Sequence, residues 1–426
     1  MINEDPCHRL FGRLEGNQLG AGLSLGLSGG GSDAPVLALD FLSGETLDPR
    51  ISFTRPSPAT RVNASGLIET VASNVARFDY DPVTLAPQGL LIEEQRTNLF
   101  TYSAALDNAA WAKTRAAISA NALASPDGTM AADKIVEDGT ASSSHFVSRS
   151  FAATNGTAYT VSGFFKAAGR NWVIFQFGST GGVFDGETAS FDIANGAIGT
   201  LGAGITASIE NWGNGWYRCA VTKTSGATAS GSLVIALGGG ANGLAYSGDG
   251  SSGIYAWGLQ LEAGSFASSY IPTTAASAVR NADQPIISGT NFSSWFNPVK
   301  GAVFFEIIPK NSSKGISKAI MAIYLSSTSV DFMQPYINTS SSLFLIIRKG
   351  NINQSLINAG QIIDGQISGA EMNFLNERFS IKLNSYGEVA NLSGEVPYCD
   401  IISLGWSPPQ GGLYLNGNLR YIKITS

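Results

Sequence analysis

Between Gly253 and Ala263 the chain alternates, with Tyr255, Trp257, Leu259 and Leu261 on one parity and Ala256, Gly258 and Gln260 on the other. Two is the period of a strand, whose successive side chains point to opposite faces, so the odd positions predict one buried apolar stripe. Similar runs recur from Thr101 to Thr274: "AYTVSGFFKAAG", "NWVIFQFGS", "ETASFDIANGAIGTL", "ASIENWGNGWYRCAVTKTSG" and "SGSLVIALGG". Gly, Asn and Ser turns separate them and no helical period intervenes, which predicts an all-β sandwich. In "FDIANGAIGTL" the pair Asn195-Gly196 between two strand-like runs signals a tight hairpin.

A second strand series follows residue 300: "GAVFFEIIP", "AIMAIYLSS", "SLFLIIRKG", "RFSIKLNSYGEVANLSGE" and "LRYIKITS". Ahead of the first sandwich, Pro35, Pro49, Pro56, Pro58, Pro82 and Pro87 preclude a long helix, and "TRVNASGLIETV" carries a short hairpin around Asn63 to Gly66. Residues 1–34 offer one apolar cluster, Leu10, Phe11 and Leu14, then a Gly/Ser/Leu tract of linker type. The expected organisation is an arm over 1–34, an extended connector with a hairpin over 35–100, a sandwich over 101–275, a polar linker over 276–300 and a second sandwich over 301–426. The arm reads either as a segment ordered by a partner or as a disordered tail.

Composition narrows the setting. Charged residues make up 14% of the chain against 44% hydrophobic ones, and there are 50 Gly among 426 residues. An average protein is about 25% charged and about 7% Gly, so charge has been replaced by turn-forming and small polar residues, as in β-rich surface proteins. The 26 Lys and Arg are scattered and the net charge is −6, which argues against binding to nucleic acid by phosphate neutralisation. Cys7, Cys219 and Cys399 are far apart and odd in number, so no disulfide framework is expected, and Cys219 reads as a small buried hydrophobe. No apolar run reaches the roughly 18 residues of a membrane span, and "MINEDPCHRLFGRLEG" holds no apolar core of a secretory signal. Release by lysis, as part of a virus particle, is one route to a surface location without such a signal.

Several stretches carry a specific likeness. "ISFTRPSPATRVNASGLIETV", "RFDYDPVTLAPQGLLIEEQRTNLF", "GNGWYRCAVT" and "WGLQLEAGSFASSYIPTT" resemble a set of tailed-bacteriophage virion proteins in which a lead-in segment precedes a carbohydrate-binding-module-like jelly roll. The resemblance covers roughly residues 36 to 285. "GAVFFEI" and "GGLYLNGNLRYIKI" are similar, more weakly, to the concanavalin A-like, laminin G-like sandwich that often follows. The resemblance implies tandem jelly-roll and sandwich domains in a tail fibre or receptor-binding component, with 1–34 as the virion-attachment arm and a homo-oligomer, a trimer by preference, as the assembly. It does not imply a ligand, since fold alone does not set function.

Candidate chemistry is sparse. His8 and His145 are the two histidines, too few for a histidine-rich zinc site. His145 follows three serines, yet no Gly-x-Ser-x-Gly elbow is present, and a surface or half-buried role is expected for it. Asp185, Glu187 and Asp192 sit in turn contexts that read as solvated residues, although a carboxylate pair in space would suit a polysaccharide depolymerase. "YSGDGSSG" with Asp249 and "VEDGTASSS" with Glu137 and Asp138 could offer oxygens to Ca2+, against the plainer reading as turns. Binding is sought on the second face of the strands, where Trp172, Gln176, Trp216, Arg218 and Gln260 form an aromatic, amide and cation set suited to sugar rings and hydroxyls. That face could instead pack on a neighbouring domain or subunit, or do neither.

Overall fold

The computed structural model describes residues 36–425 apart from 179, 311–314, 329, 376–377, 385–387 and 392–393. The arm expected over 1–34, with Cys7 and His8, lies outside the described residues. The described chain is all-β and builds two sandwiches.

The first sandwich has two six-stranded sheets. Its front sheet runs Thr206–Asn211, Tyr217–Thr224, Ala158–Ala168, Gly253–Ala263, Met130–Glu137, Ala116–Ala124 from edge to edge. Its back sheet runs Ala197–Leu201, Thr188–Asp192, Trp172–Phe177, Ala229–Gly238, Phe146–Ala153, Ala112–Thr114. Val173, Phe175 and Phe177 of the back sheet share one core with Val161, Phe165, Cys219 and Val221 of the front sheet, as the alternation predicts. The expected hairpin forms, with Asp192 opposite Ala197.

The stripe read from Gly253–Ala263 does not stay on one face. Ser162 pairs with Gln260 but Phe164 pairs with Trp257, so one extra residue sits in this strand. Gly258 occupies the bulge with φ +64°, a left-handed conformation that Gly adopts without penalty. Each residue beyond the bulge is turned over. Ile254, Ala256, Leu259 and Leu261 therefore enter the main core, while Trp257 joins a separate cluster on the outer side with Phe164, Trp216 and Tyr270. The expectation that Gln260 lies opposite Trp257 is thus corrected: both face outward.

The connector expectation is also corrected. In the second sandwich, one sheet runs Val389–Asn391, Arg378–Leu383, Ser368–Leu375, Lys300–Pro309, Gly417–Thr425, Pro87–Ile92, Phe78–Tyr80, with Leu37–Asp40 also paired to Gly417–Thr425. Three of these strands come from residues 35–100. Leu37, Leu39, Phe78, Leu90 and Ile92 are buried in one core with Val303, Phe305, Leu419 and Ile422. The facing sheet runs Ser52–Thr54, Gln284–Ser288, Ile401–Leu404, Met321–Tyr324, Phe332–Ile337, Ser342–Lys349, Ile352–Gln361, with Lys318–Ala319 paired to Phe332–Ile337. It takes one strand from the supposed connector and one from the supposed linker. The chain enters the first sandwich through Arg96–Asn98 and returns through Ala278–Arg280, and these two strands pair antiparallel. The jelly roll is in this sense an insertion within the second sandwich.

A buried ionic cluster ties the insertion to its host. Arg55 donates to Asp283 at 2.9 Å, Arg77 donates to Glu93 at 2.8 Å and also to Asp283, and Arg280 donates to Glu93 at 2.6 Å. The side chains of Arg55, Arg77, Arg280 and Asp283 are fully buried. Ser269, from the loop leaving the front sheet, donates its backbone N–H and hydroxyl to Glu93. Removing one partner from such a buried network is costly, so the cluster favours one arrangement of residues 55, 77, 93, 269, 280 and 283.

Candidate functional site

The five sequence-predicted binding residues do not share a face. Trp172 and Gln176 are half-buried on the outer side of the back sheet, and Gln176 Nε2 donates to Gly186 O at 3.0 Å. Trp216, Arg218 and Gln260 lie on the outer side of the front sheet, at 4%, 8% and 0% exposure. What covers them is this chain. Arg218 donates to Ser268 O at 2.6 Å and stands over the Phe164 ring. Gln260 donates to Glu262 at 2.7 Å and accepts from the Ile271 N–H at 2.6 Å. Arg218 and Gln260 therefore fasten residues 264–273 to the sheet and are closed to a ligand, which corrects the expectation for both.

Trp216 differs, because its edge reaches a cleft. Residues 211–216, "NWGNGW", form the turn between Thr206–Asn211 and Tyr217–Thr224. Gly213, Asn214 and Gly215 have φ of 74°, 50° and 77°, three left-handed residues in a row, which Gly and Asn tolerate best. Trp212 N–H donates to Trp216 O at 2.9 Å and Trp216 N–H to Gly213 O at 2.8 Å, so the turn sets both indoles on one side. Trp212 stands edge-on to Phe164, with centroids 4.8 Å apart and planes at 84°.

Opposite the two indoles stand the connector hairpin tip at residues 65–67, Pro82, and residues 123–126 with Gly128. Together they bound a cleft of about 280 Å³. Ile68 of the hairpin packs in the same outer cluster as Trp216 and Trp257, which holds this wall in place. Lys166 lies along the cleft and donates from Nζ to Asn214 O at 2.6 Å, leaving two of its three N–H bonds for a ligand. Neither Trp212 nor Trp216 gives its indole N–H to an acceptor among the described residues, and neither nitrogen is sealed from solvent. No carboxylate lines the cleft. The nearest acidic residues along the chain serve their own turns: Asp81 accepts from the Val83 and Thr84 N–H groups, and Asp127 from Ser125 Oγ and Thr129 N–H.

Trp212 and Lys166 were missed in the sequence reading. The two tryptophans flanking a Gly-Asn-Gly turn were a visible signal, but the opposite wall comes from residues more than 80 positions away.

The other candidates resolve into ordinary structure. Asp249 accepts from the N–H and hydroxyl of both Ser251 and Ser252, and these four donors hold its carboxyl below the usual range. Glu137 accepts from Arg170, Tyr246 and the Asp249 N–H, and Asp138 from the Thr140 N–H. Among the described residues no three His, Cys, Asp or Glu side chains gather as metal ligands. His145 is fully buried rather than at the surface, with Nδ1 2.8 Å from Arg115 O. Asp185 pairs with Lys223 at 2.8 Å and Asp192 accepts from the backbone of its hairpin turn. Cys219 and Cys399 are buried free thiols, and no helix of the described residues is long and apolar enough to cross a membrane.

No family model matches the chain, and no curated protein does. Among solved structures, it is similar to the CBM40 domain of the Ruminococcus gnavus IT-sialidase bound to α2,3-sialyllactose, at 8% identity over 30% of this chain and 75% of that one, with a TM-score of 0.26. Domains LG4-5 of the mouse laminin α1 chain align at 11% identity over 67% of this chain and 87% of theirs, with a TM-score of 0.25. An alginate lyase from Alteromonas sp. 272 aligns at 9% identity over 34% of this chain and 76% of its own, with a TM-score of 0.23. The architecture above rests on the strand pairing of this chain.

Proposed function

We propose that this protein is a non-enzymatic attachment component of a bacteriophage particle, of tail-fibre or receptor-binding type, whose jelly roll takes a host-surface glycan. The carrying observation is the cleft in which Trp212, Trp216 and Lys166 converge. Indole faces stack on the apolar side of a sugar ring, and free N–H groups meet its oxygens. The phage setting is supported by the sequence resemblance over residues 36 to 285 and by a composition poor in charge and rich in turns. Residues 1–34 would join the chain to other virion proteins, and a trimer would multiply weak single sites into firm attachment by avidity. The non-enzymatic reading is supported by Asp185, Asp192, Glu137, Asp138 and Asp249, whose carboxylates are each engaged by protein donors.

The test is binding of the full-length protein to host cells and to a glycan array, beside Trp212→Ala. Losing an aromatic contact of about 1.5–3 kcal/mol lowers affinity roughly ten- to hundredfold, measured at a temperature where the variant, which also loses the Trp212–Phe164 contact, is still folded. Wild-type protein that binds no glycan would point instead to a purely structural tail or head-decoration role. Release of sugar from capsule or lipopolysaccharide would point to a depolymerase.

A further inference from the structure

We infer that the cleft selects an acidic sugar, with the ring against Trp212 and the carboxylate at Lys166. This rests on the reading of the cleft as a glycan site and narrows it to one class of residue. Size comes first. At about 280 Å³ the cleft falls just below the roughly 300–1,000 Å³ of sites that hold drug-sized ligands, so it has room for one ring. Its walls are the hairpin tip at residues 65–67, Pro82, residues 123–126 with Gly128, and Trp212, Asn214 and Trp216 of the turn.

Polarity decides the class. The cleft offers the N–H bonds that Lys166 does not give to Asn214 O, beside two indoles, and no lining carboxylate competes for the ammonium. A hydroxyl both donates and accepts, so a neutral sugar would leave its own donors to Ser65, Ser125 and backbone carbonyls. A carboxylate only accepts, and its hydrogen bond to an ammonium is stronger than a neutral one. With a net charge of −6 over the whole chain, attraction of an anion must be local, which places it on Lys166.

Methyl β-D-glucuronide and methyl β-D-glucoside differ only at C6, carboxylate against hydroxymethyl, and make the matched pair of probes for titration calorimetry on the full-length protein. The glucuronide is expected to bind about tenfold more tightly. Lys166→Met removes that difference, Lys166→Arg retains it, and Trp212→Ala weakens both sugars. Equal affinity for the two glycosides, or a preference that survives Lys166→Met, overturns the acidic-sugar inference while leaving the glycan reading standing. If neither glycoside nor the methyl glycoside of N-acetylneuraminic acid binds, the glycan reading falls and this inference falls with it.

Discussion

Trp257 and Leu259 are two residues apart on one strand, yet they face opposite sides of the front sheet, because Gly258 between them forms a left-handed bulge. Leu259 fills the main core beside Gly163, where a Cβ would lie 2.4 Å from its methyl group. Trp257 turns outward to the aromatic cluster under the connector hairpin. The bulge thus creates the second apolar surface on which the hairpin, and so one wall of the cleft, is seated.

Gly258→Ala tests this geometry. The added Cβ lies 3.0 Å from the Phe164 ring, at a φ of +64°. The expected loss is about 1–3 kcal/mol, seen as a lower urea midpoint. A neutral result would show that the strand can absorb the change by restoring regular pairing.

Glu93 is expected to be a keystone. Burial alone would raise its carboxyl, but the charges of Arg280 and Arg77, with the Ser269 donors, outweigh that and hold it well below the ordinary 4.5. Glu93→Gln leaves the buried Arg280 guanidinium without its carboxylate and Arg77 with that of Asp283 alone, and should cost about 3–5 kcal/mol. A depressed carboxyl contributes stability that is full above pH 4.5 and is lost as pH falls toward the folded-state value. Wild-type protein should therefore lose stability below pH 4.5 more steeply than the variant in denaturant titrations at successive pH.

Lys318 points the other way. It is fully buried, its Nζ has no hydrogen-bond partner, and it sits 5.0 Å from the centre of the Phe266 ring, which Arg96 also overlies at 4.5 Å. Burial pulls the ammonium down from 10.5 to about 8. Lys318→Met should stabilise the protein by about 1–3 kcal/mol at pH 7. The penalty in wild type is full below pH 8 and is relieved as pH rises from 8 to 10.5, so the gap between the two proteins should close over that interval in thermal unfolding.

Calcium should leave the fold unchanged. The Asp249 carboxylate already accepts four protein hydrogen bonds within its own turn. Millimolar Ca2+ and EDTA are expected to give the same melting temperature, and a clear upward shift with Ca2+ would restore the metal reading for this turn or for Asp138.

The alternation of side chains and the spacing of turns determined the all-β class, the two strand series, the hairpins at Asn63 and Asn195 and the core parity of Val173, Phe175 and Phe177. These follow from contacts between near neighbours, which leave a period in the sequence. Only tertiary structure decided that strands from residues 35–100 complete the second sandwich, that Arg218 and Gln260 are sealed under residues 264–273, and that Trp216 meets Lys166 and the hairpin tip in one cleft. Strand partners and covering loops are selected by hydrogen bonding and burial between segments far apart in the chain. One extra residue at a bulge reverses every facing beyond it, and no local pattern records either choice.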